Sequence, residues 1–322
     1  MLPLLVTGIS GVAGYNAFLA LRALHPGSVV GLRPPATARL VGEGVVALDA
    51  DDEAGLEALF RARRFRAVLN ATGNCALKAC ELDPALAART NVASAANVAR
   101  LCARSGARLV HLSSDLVFSG SRAGNYAEDD PTDPVTVYGK TMAEGERLVR
   151  SLVRDAAILR ISLPMGPSFS GHAGAIDWID SRFRAGRPAT LYYDEVRSAT
   201  YCDDLNGVFA QMLANGAAGL FHCGGPKPIT LHQIGQVVNR AGGYPPHLLH
   251  GCPRQEAGPV PPRAGDVSMD SGKLRRLLGR EPFRPWPMGD DLWPAHRGWH
   301  AGEGWRGSRR MVEERLYRCP AG

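Results

Sequence analysis

Tyr138 and Met142 stand at positions i and i+4 of a segment, Tyr-Gly-Lys-Thr-Met, that is predicted to begin a helix. Residues at this spacing share one helix face, so a lysine at 142 would bring its ammonium beside the phenol and lower the phenol's pKa. Methionine brings no charge. Lys140 cannot substitute, because two residues along a helix correspond to about 200° of rotation. The segment predicts an enzyme whose active site has a catalytic tyrosine but lacks the basic residue one turn later, or a protein descended from such an enzyme.

The N-terminus leads into a glycine-rich turn that could bind phosphate. An apolar run from Leu4 to Val6 precedes Gly8, Gly11 and Gly14, and a helix-like stretch follows. Glycines at these places let the backbone turn sharply and approach a pyrophosphate, while the helix N-terminus faces the anion. The alternative is that these glycines only form a tight strand-to-helix turn that binds no ligand. Combined with further motifs, the turn predicts a dinucleotide site made by Gly8, Ser10, Gly11, Val12 and Gly14.

A second block of motifs lies between residues 108 and 146. A predicted buried strand ends in Ser113 and Ser114, Asp115 follows, and an acidic segment with prolines leads to Tyr138. Together with the glycine turn, these motifs resemble the extended short-chain dehydrogenases/reductases. Within that superfamily they look like the dTDP-4-dehydrorhamnose reductase branch, whose pattern is a strand ending in Ser-Thr-Asp, an acidic-proline segment and Tyr-Gly-x-x-Lys. The regulatory beta subunit of methionine adenosyltransferase is similar and belongs to the same branch.

The resemblance implies roles for individual residues. Ser114 would hydrogen-bond a substrate carbonyl and Tyr138 would give it a proton, while hydride arrives from a nicotinamide. Asp115 and Arg197 are implied substrate contacts, although a surface salt bridge is the ordinary role of either. Cofactor contacts are implied for a larger set, namely Asp49 at the adenine, Asn70, Ala71 and Thr72 at the ribose and diphosphate, Asn91 through the backbone of its neighbours, and Ser113, Tyr138 and Met142.

The end of the second predicted strand, Val29 to Leu32, decides between the two nicotinamide cofactors. An acidic residue there would accept hydrogen bonds from the 2'-hydroxyl of NAD, but Arg33 stands in that place. An arginine offers a fork of donors to a 2'-phosphate. We therefore expect NADP, with a solvated loop arginine as the alternative role for Arg33.

Composition excludes several classes of protein. Of the 322 residues 45% are hydrophobic, and no apolar run approaches the roughly 20 residues of a membrane span. Because a strand begins at Leu4, we expect no signal peptide and a cytoplasmic protein. Seven cysteines without a CxxC pair predict neither a disulfide framework nor a metal site. The net charge of +6 comes from arginines spread along the chain, so we expect a small-molecule substrate and no nucleic-acid partner.

Strand-like and helix-like segments alternate through residues 1–165, which predicts an α/β fold: a doubly wound parallel sheet (Rossmann fold) with a smaller C-terminal substrate lobe. Residues 1–163, completed by about 190–223, form the predicted dinucleotide-binding domain. Residues 164–189 and 224–322 form the predicted lobe and tail. The tail carries Trp299 and Trp305 and is expected to pack over its own lobe or a neighbouring subunit, as in a homodimer. A membrane or partner surface is the alternative.

The missing lysine favours one reaction type. A phenol of ordinary pKa is only about 0.1% ionised at pH 7, so chemistry that begins with proton removal by tyrosinate starts at a disadvantage of roughly 4 kcal/mol. Sugar epimerases and dehydratases of the superfamily begin that way, whereas carbonyl reduction uses the neutral phenol as an acid. The leading hypothesis is an NADP-dependent reductase of a nucleotide-linked 4-keto-6-deoxy sugar. The second is an NADP-binding regulatory or structural protein with little catalysis, and the third is an epimerase or dehydratase.

Overall fold

A computed structural model of the protein describes residues 1–302, 304 and 306–318. Trp305, which the tail hypothesis included, lies outside the described residues. Within them the strands are β1 (Leu4–Val6), β2 (Val29–Arg33), β3 (Val45–Ala47), β4 (Ala67–Asn70), β5 (Arg108–Ser114), β6 (Ala157–Ile161), β7 (Pro164–Met165), β8 (Ala189–Tyr192), β9 (Val196–Arg197), β10 (Thr200–Tyr201), β11 (Gly219–Cys223), β12 (Ile229–Thr230) and β13 (Leu249–Cys252). The α-helices are α1 (Val12–Leu24), α2 (Glu53–Arg63), α3 (Leu77–Leu82), α4 (Pro84–Ala87), α5 (Ser94–Ser105), α6 (Val137–Leu152), α7 (Ala175–Arg184), α8 (Cys202–Ala214), α9 (Leu231–Gly242), α10 (Gly272–Leu278) and α11 (Arg309–Met311).

One parallel sheet organises the first part of the chain, with the strand order β11-β6-β5-β4-β1-β2-β3. Its strands are short apolar runs because both faces of the sheet are covered, and every residue of β1 and β4 is buried. Helices α1 and α8 contribute to the core on one face, and α2, α5 and α6 contribute to the core on the other. The predicted doubly wound parallel sheet is confirmed.

The strand order reverses beside β1, and this reversal sets the position of a ligand site. From β1 the chain moves outward through β2 and β3, then returns to β4 on the other side and moves outward through β5 and β6. In sheets of this kind a ligand binds at the carboxyl edge, next to the point of reversal. The loops that follow β1, β4 and β5 therefore border the candidate site.

Helix α6 begins where its cap places it, close to this edge. Thr136 accepts a hydrogen bond from the Gly139 amide at 2.9 Å, which satisfies a free donor of the first turn. A Cβ at Gly139 would lie 2.0 Å from the Leu116 carbonyl oxygen, so α6 lies directly against the segment after β5. Tyr138, in the first turn of α6, therefore lies beside the segment after β5 that contains Leu116.

A second group of elements packs beyond the sheet. Helices α7 and α9 lie with the parallel pair β8 and β13 around a separate apolar core, in which Trp286 is fully buried. The described part of the tail joins this core, because Leu316 and Tyr317 are buried and Trp286 donates Nε1–H to the Leu316 carbonyl at 3.1 Å. Over its described residues the tail therefore packs on the chain's own lobe. No helix in the described part of the chain is long and apolar enough to cross a membrane.

Candidate active site

The glycine turn after β1 holds two glycines that the fold requires and one that it does not. Gly8 has a φ of +65°, and a Cβ there would lie 2.1 Å from the Ala71 carbonyl oxygen. A Cβ at Gly14 would lie 2.3 Å from the Gly8 carbonyl oxygen. A Cβ at Gly11 would meet only that same oxygen, at 3.6 Å, which is ordinary contact. Gly11 therefore faces open space in which a ligand could approach the backbone.

The start of α1 adds to the suitability of this turn for an anion. The helix begins at Val12 without a side-chain cap, so the amides of its first turn face the open edge. Ser10 is half-buried within the turn, and Val12 is buried behind it. The Ile9 amide donates to the Leu32 carbonyl at 3.1 Å, which places the turn beside the end of β2.

Arg33 is the last residue of β2, and Asp49 follows β3. Arg33 donates from Nε to the Leu40 carbonyl at 2.6 Å, and from Nη1 to the carbonyls of Pro34 and Pro35 at 3.0 and 3.2 Å. Its side chain is therefore buried under its own loop, unlike a solvated loop arginine, and Nη2 makes no hydrogen bond to the described residues. Asp49 is exposed.

Asn70 holds the loop after β4 rather than facing the edge. It is fully buried, accepts a hydrogen bond from the Thr7 hydroxyl at 2.6 Å, and contacts His111 Nδ1 at 3.0 Å. It also accepts from the Thr72 amide at 3.3 Å, while the Ala71 amide donates to Thr7 at 3.1 Å. These bonds fix Ala71 and Thr72, both half-buried, against the glycine turn. Sequence reasoning missed Thr7 and His111, whose only signal is their position on buried strands.

Asn91 lies in a π-helical segment, Ala88–Ala93, that interrupts the helix between α4 and α5. Its Oδ1 accepts from the Asn74 amide at 2.7 Å, and its Nδ2 donates to the Thr141 hydroxyl at 2.9 Å. The Met142 sulfur comes within 4.0 Å of the place that a Cβ at Gly73 would take. Asn91 thus holds the backbone of the loop after β4 at Asn74.

Ser113 and Ser114 point to opposite faces of the sheet, as neighbours on a strand do. Ser113 donates to Glu146, whose carboxylate also binds Arg160 through two hydrogen bonds of 2.8 Å. All three side chains are buried. The structure therefore commits the Ser113 hydroxyl to a buried ion pair under α6 and does not bring it to the edge with Ser114.

The Tyr138 side chain is 9% exposed and belongs to a buried apolar cluster with Leu116, Phe118 and Met142. Burial raises the pKa of the phenol and neighbouring Cys75 adds to this, whereas a hydrogen bond with Ser114 opposes it. Lys140 is exposed and Met142 is buried, so the face shared with Tyr138 carries methionine, as the spacing predicts. The site holds a neutral phenol at physiological pH.

Cys75 is a neighbour of Tyr138 that sequence reasoning did not select. It lies in the loop after β4 and is exposed. The surrounding protein raises the pKa of its thiol, so the thiol is neutral. A single cysteine in a loop gives no signal in the sequence by which it could have been found.

Asp115 and Arg197 form a buried ion pair and not a surface salt bridge. Asp115 is fully buried and Arg197 is 6% exposed. Arg197 donates from Nε to Oδ2 at 2.7 Å and from Nη2 to Oδ1 at 2.5 Å. Ser114 donates to the same carboxylate at 3.1 Å. The two implied substrate contacts are thus each other's partners, directly behind Ser114.

Known proteins resemble this chain over most of its length. A family model described as RmlD substrate binding domain matches residues 2–289. Methionine adenosyltransferase 2 subunit beta of Xenopus laevis is 28% identical over 251 residues, which are 76% of this chain and 74% of that protein. The dTDP-4-dehydrorhamnose reductase of Mycolicibacterium smegmatis is 29% identical over 233 residues, which are 70% of this chain and 69% of that protein.

Solved structures share the fold. The structure of dTDP-4-dehydrorhamnose reductase from Bacillus anthracis, solved in complex with NADP, aligns with a TM-score of 0.74 at 20% identity. The alignment covers 88% of this chain and 95% of that one.

Proposed function

Since this chain belongs to the RmlD substrate-binding family, as its motifs predicted, we propose that it is an NADP-dependent reductase of a nucleotide-linked 4-keto-6-deoxy sugar or a similar carbonyl compound. The observation that carries the proposal is the buried, neutral phenol of Tyr138 beside Ser114, at the sheet edge that also holds the open turn at Gly11. The proposed dinucleotide site and the proposed proton donor thus share one edge of the sheet.

The turn and the strand ends fit a dinucleotide. Gly11 leaves the space that a side chain would fill, and the uncapped start of α1 offers amide donors to a diphosphate. Arg33 stands at the end of β2 with Nη2 free of hydrogen bonds to the described residues, which supports NADP over NAD. Asp49, Ala71 and Thr72 border the same edge and are proposed to line the adenosine part.

The bound nicotinamide would supply the hydride to the carbonyl carbon. Tyr138 would then give its proton to the carbonyl oxygen, which completes an alcohol, and would recover a proton from solvent. Ser114 would hydrogen-bond the same carbonyl oxygen, as the resemblance implies. General acids of this kind contribute about 100- to 10,000-fold to rate.

The environment of Tyr138 supports reduction over reactions that begin with tyrosinate. Burial raises the pKa of the phenol above its ordinary value, so the ionised form is scarcer than in a free tyrosine. An epimerase or dehydratase would need that form as a base. A reductase needs the protonated form, which is the form present.

An NADP-binding regulatory protein is the second candidate. Met142 in place of lysine removes a donor that would hold the nicotinamide ribose, and the similarity to the beta subunit of methionine adenosyltransferase 2 points the same way. The two candidates differ in turnover. A panel of nucleotide-linked 4-keto sugars, assayed by loss of NADPH absorbance, tests them. Consumption with one substrate supports the reductase, and intact NADPH with every substrate supports the regulatory protein.

A further inference from the structure

Residues 309–317, the C-terminal segment, are joined to the lobe by directed polar contacts. They form α11 and a π-helical turn, and they lie beyond the part of the chain that the family model matches. The Tyr201 hydroxyl donates to the Arg315 carbonyl at 2.9 Å, and Arg309 donates to Asp180 at 2.8 Å. The C-terminal segment therefore has a defined place on the lobe.

Helix α7 presents two buried carboxylates to this segment. Asp177 and Asp180 stand three residues apart, so they share one helix face, and they are 6% and 1% exposed. Asp180 accepts from Arg309 and also from the Tyr244 hydroxyl, at 2.5 Å. Asp177 accepts from the Tyr317 hydroxyl. Because a buried carboxylate is costly without such donors, each of the two stabilises the docked segment.

Asp177 also holds a loop through its second oxygen. Its Oδ1 accepts from Tyr317, while its Oδ2 accepts from the Ser168 amide at 2.7 Å and from the Ser168 hydroxyl at 2.5 Å. The Ser168 hydroxyl oxygen in turn accepts from the Ala173 amide at 3.1 Å. The two oxygens of one buried carboxylate therefore join the C-terminal segment to the loop of residues 167–173.

The 167–173 loop lies against the start of α1. Asn16 donates from Nδ2 to the Pro167 carbonyl at 2.9 Å and to the carbonyl of Val12, the first residue of α1, at 2.8 Å. A Cβ at Gly174, where the loop enters α7, would lie 3.1 Å from Val12 Cγ2. Because Val12 belongs to the glycine turn as well as to α1, the loop borders the turn that is proposed to bind the diphosphate.

We propose that Tyr317 and Asp177 form a clasp by which the C-terminal segment holds the 167–173 loop against the cofactor site. Tyr317 is then a positioning residue, which acts on the cofactor through Asp177 and the loop without contacting it. The inference rests on the proposed dinucleotide site and adds a part of the chain that supports it. Docking of the segment and binding of the cofactor favour each other, because coupling between two sites is reciprocal.

Tyr317→Phe tests the clasp because it removes the hydroxyl that joins the segment to Asp177 and keeps the buried ring. Tyr244→Phe is the matched control, since it removes a phenol hydroxyl from Asp180 on the same helix. The partners of Asp180 in the described part of the chain all lie outside the 167–173 loop. A merely structural role of these hydroxyls predicts lower stability in both variants and no change confined to the loop.

Hydrogen exchange of the cofactor-free proteins, followed by mass spectrometry of peptides that cover the loop, gives the first readout. A hydrogen bond to a charged group corresponds to a factor of about 10 to 150 in an equilibrium constant. In Tyr317→Phe we expect the amides of Ser168 and Ala173 to exchange roughly tenfold faster, because local opening of the loop becomes easier. In Tyr244→Phe they should exchange as in wild type.

Cofactor affinity gives the second readout. Calorimetric titration with NADPH should show affinity about 5-fold or more lower in Tyr317→Phe and unchanged in Tyr244→Phe. By the same coupling, NADPH should slow hydrogen exchange of the C-terminal segment in wild type more than in Tyr317→Phe.

Loop exchange that is equal in wild type and Tyr317→Phe, or equally faster in both variants, would overturn the clasp. Faster loop exchange with unchanged NADPH affinity would overturn its link to the cofactor. If the wild type binds no dinucleotide, the proposed cofactor site fails, and the exchange measurement still decides whether the segment holds the loop. Thermal unfolding checks that each variant folds. Asp177→Asn, which has one acceptor oxygen for the two sides, takes the place of Tyr317→Phe if that variant does not fold.

Discussion

Replacing the glycines after β1 one at a time distinguishes the glycines that stabilise the fold from the one that leaves room for a ligand. Gly11 has a φ of −85° that suits any residue, and a Cβ there makes only a 3.6 Å contact. Gly14 has no such room, because a Cβ would lie 2.3 Å from the Gly8 oxygen, and Gly8 has a φ of +65°. We predict that Gly11→Val folds normally but binds a dinucleotide more weakly, whereas Gly8→Ala and Gly14→Ala lose stability.

The magnitudes follow from these distances. For Gly11→Val, the gain of about 0.4–1 kcal/mol from a stiffer unfolded chain is offset by the loss of a good helix cap, so the net change is near zero. Overpacking costs Gly14→Ala about 1–3 kcal/mol, and left-handed strain costs Gly8→Ala about 1–2 kcal/mol in addition. If the diphosphate fills the space at Gly11, the same overpacking weakens binding by about 5- to 150-fold.

Thermal unfolding of the free proteins measures the first effect, with about 2 °C expected for each kcal/mol in a chain of this size. Calorimetric titration with NADPH measures the second. Gly11→Ala serves as the smaller control and should fall between wild type and Gly11→Val. A folded Gly11→Val protein with wild-type affinity would place the ligand elsewhere, and a Gly14→Ala protein as stable as wild type would refute the packing argument.

Three further predictions concern single side chains. NADPH should bind about 10- to 150-fold more tightly than NADH, and Arg33→Ala should abolish this difference. Arg39→Ala, on the exposed part of the same loop, should leave it unchanged. Calorimetric titration with both cofactors measures the affinities. Met142→Lys should lower the pKa of Tyr138. Because reduction needs the neutral phenol, kcat of this variant should decline at a lower pH than kcat of the wild type. Met142→Leu is the matched control, and coinciding pH profiles of kcat for wild type and Met142→Lys would contradict the argument. Glu146→Ala should lower the free energy of unfolding by about 3–5 kcal/mol, because Arg160 is left buried without its anion. Denaturant unfolding measures this change. A decrease as small as that typical of a surface ion pair would be inconsistent with the buried geometry.

The sheet could be predicted because its strands are buried on both faces and read as continuous apolar runs. The apolar run from Leu4 to Val6 coincides with β1, and the predicted strand from Val29 to Leu32 coincides with β2 except for its last residue, Arg33. The glycine turn and the first turn of α6 follow from local spacing, which also places Met142 on the face of Tyr138 and Lys140 away from it.

Side-chain partners far apart in the chain could not be predicted in the same way. Asp115 and Arg197 are 82 residues apart, and no local pattern shows that β9 returns to the end of β5. Their burial depends on the lobe packing against the sheet, which is a tertiary property. Ser113 is a different case, since the alternation along β5 already indicates that its hydroxyl and that of Ser114 point to opposite faces.

The most direct test of the central claim is NADPH consumption by wild type and Tyr138→Phe on the nucleotide-linked keto sugar that the wild type turns over fastest. The phenyl ring keeps the packing of a residue that is 9% exposed and removes only the proton donor. The account predicts that kcat falls by about 100-fold or more while NADPH affinity is unchanged. Wild-type turnover no greater than that of Tyr138→Phe on every substrate, with NADPH still bound by both proteins, would contradict it and favour the regulatory protein.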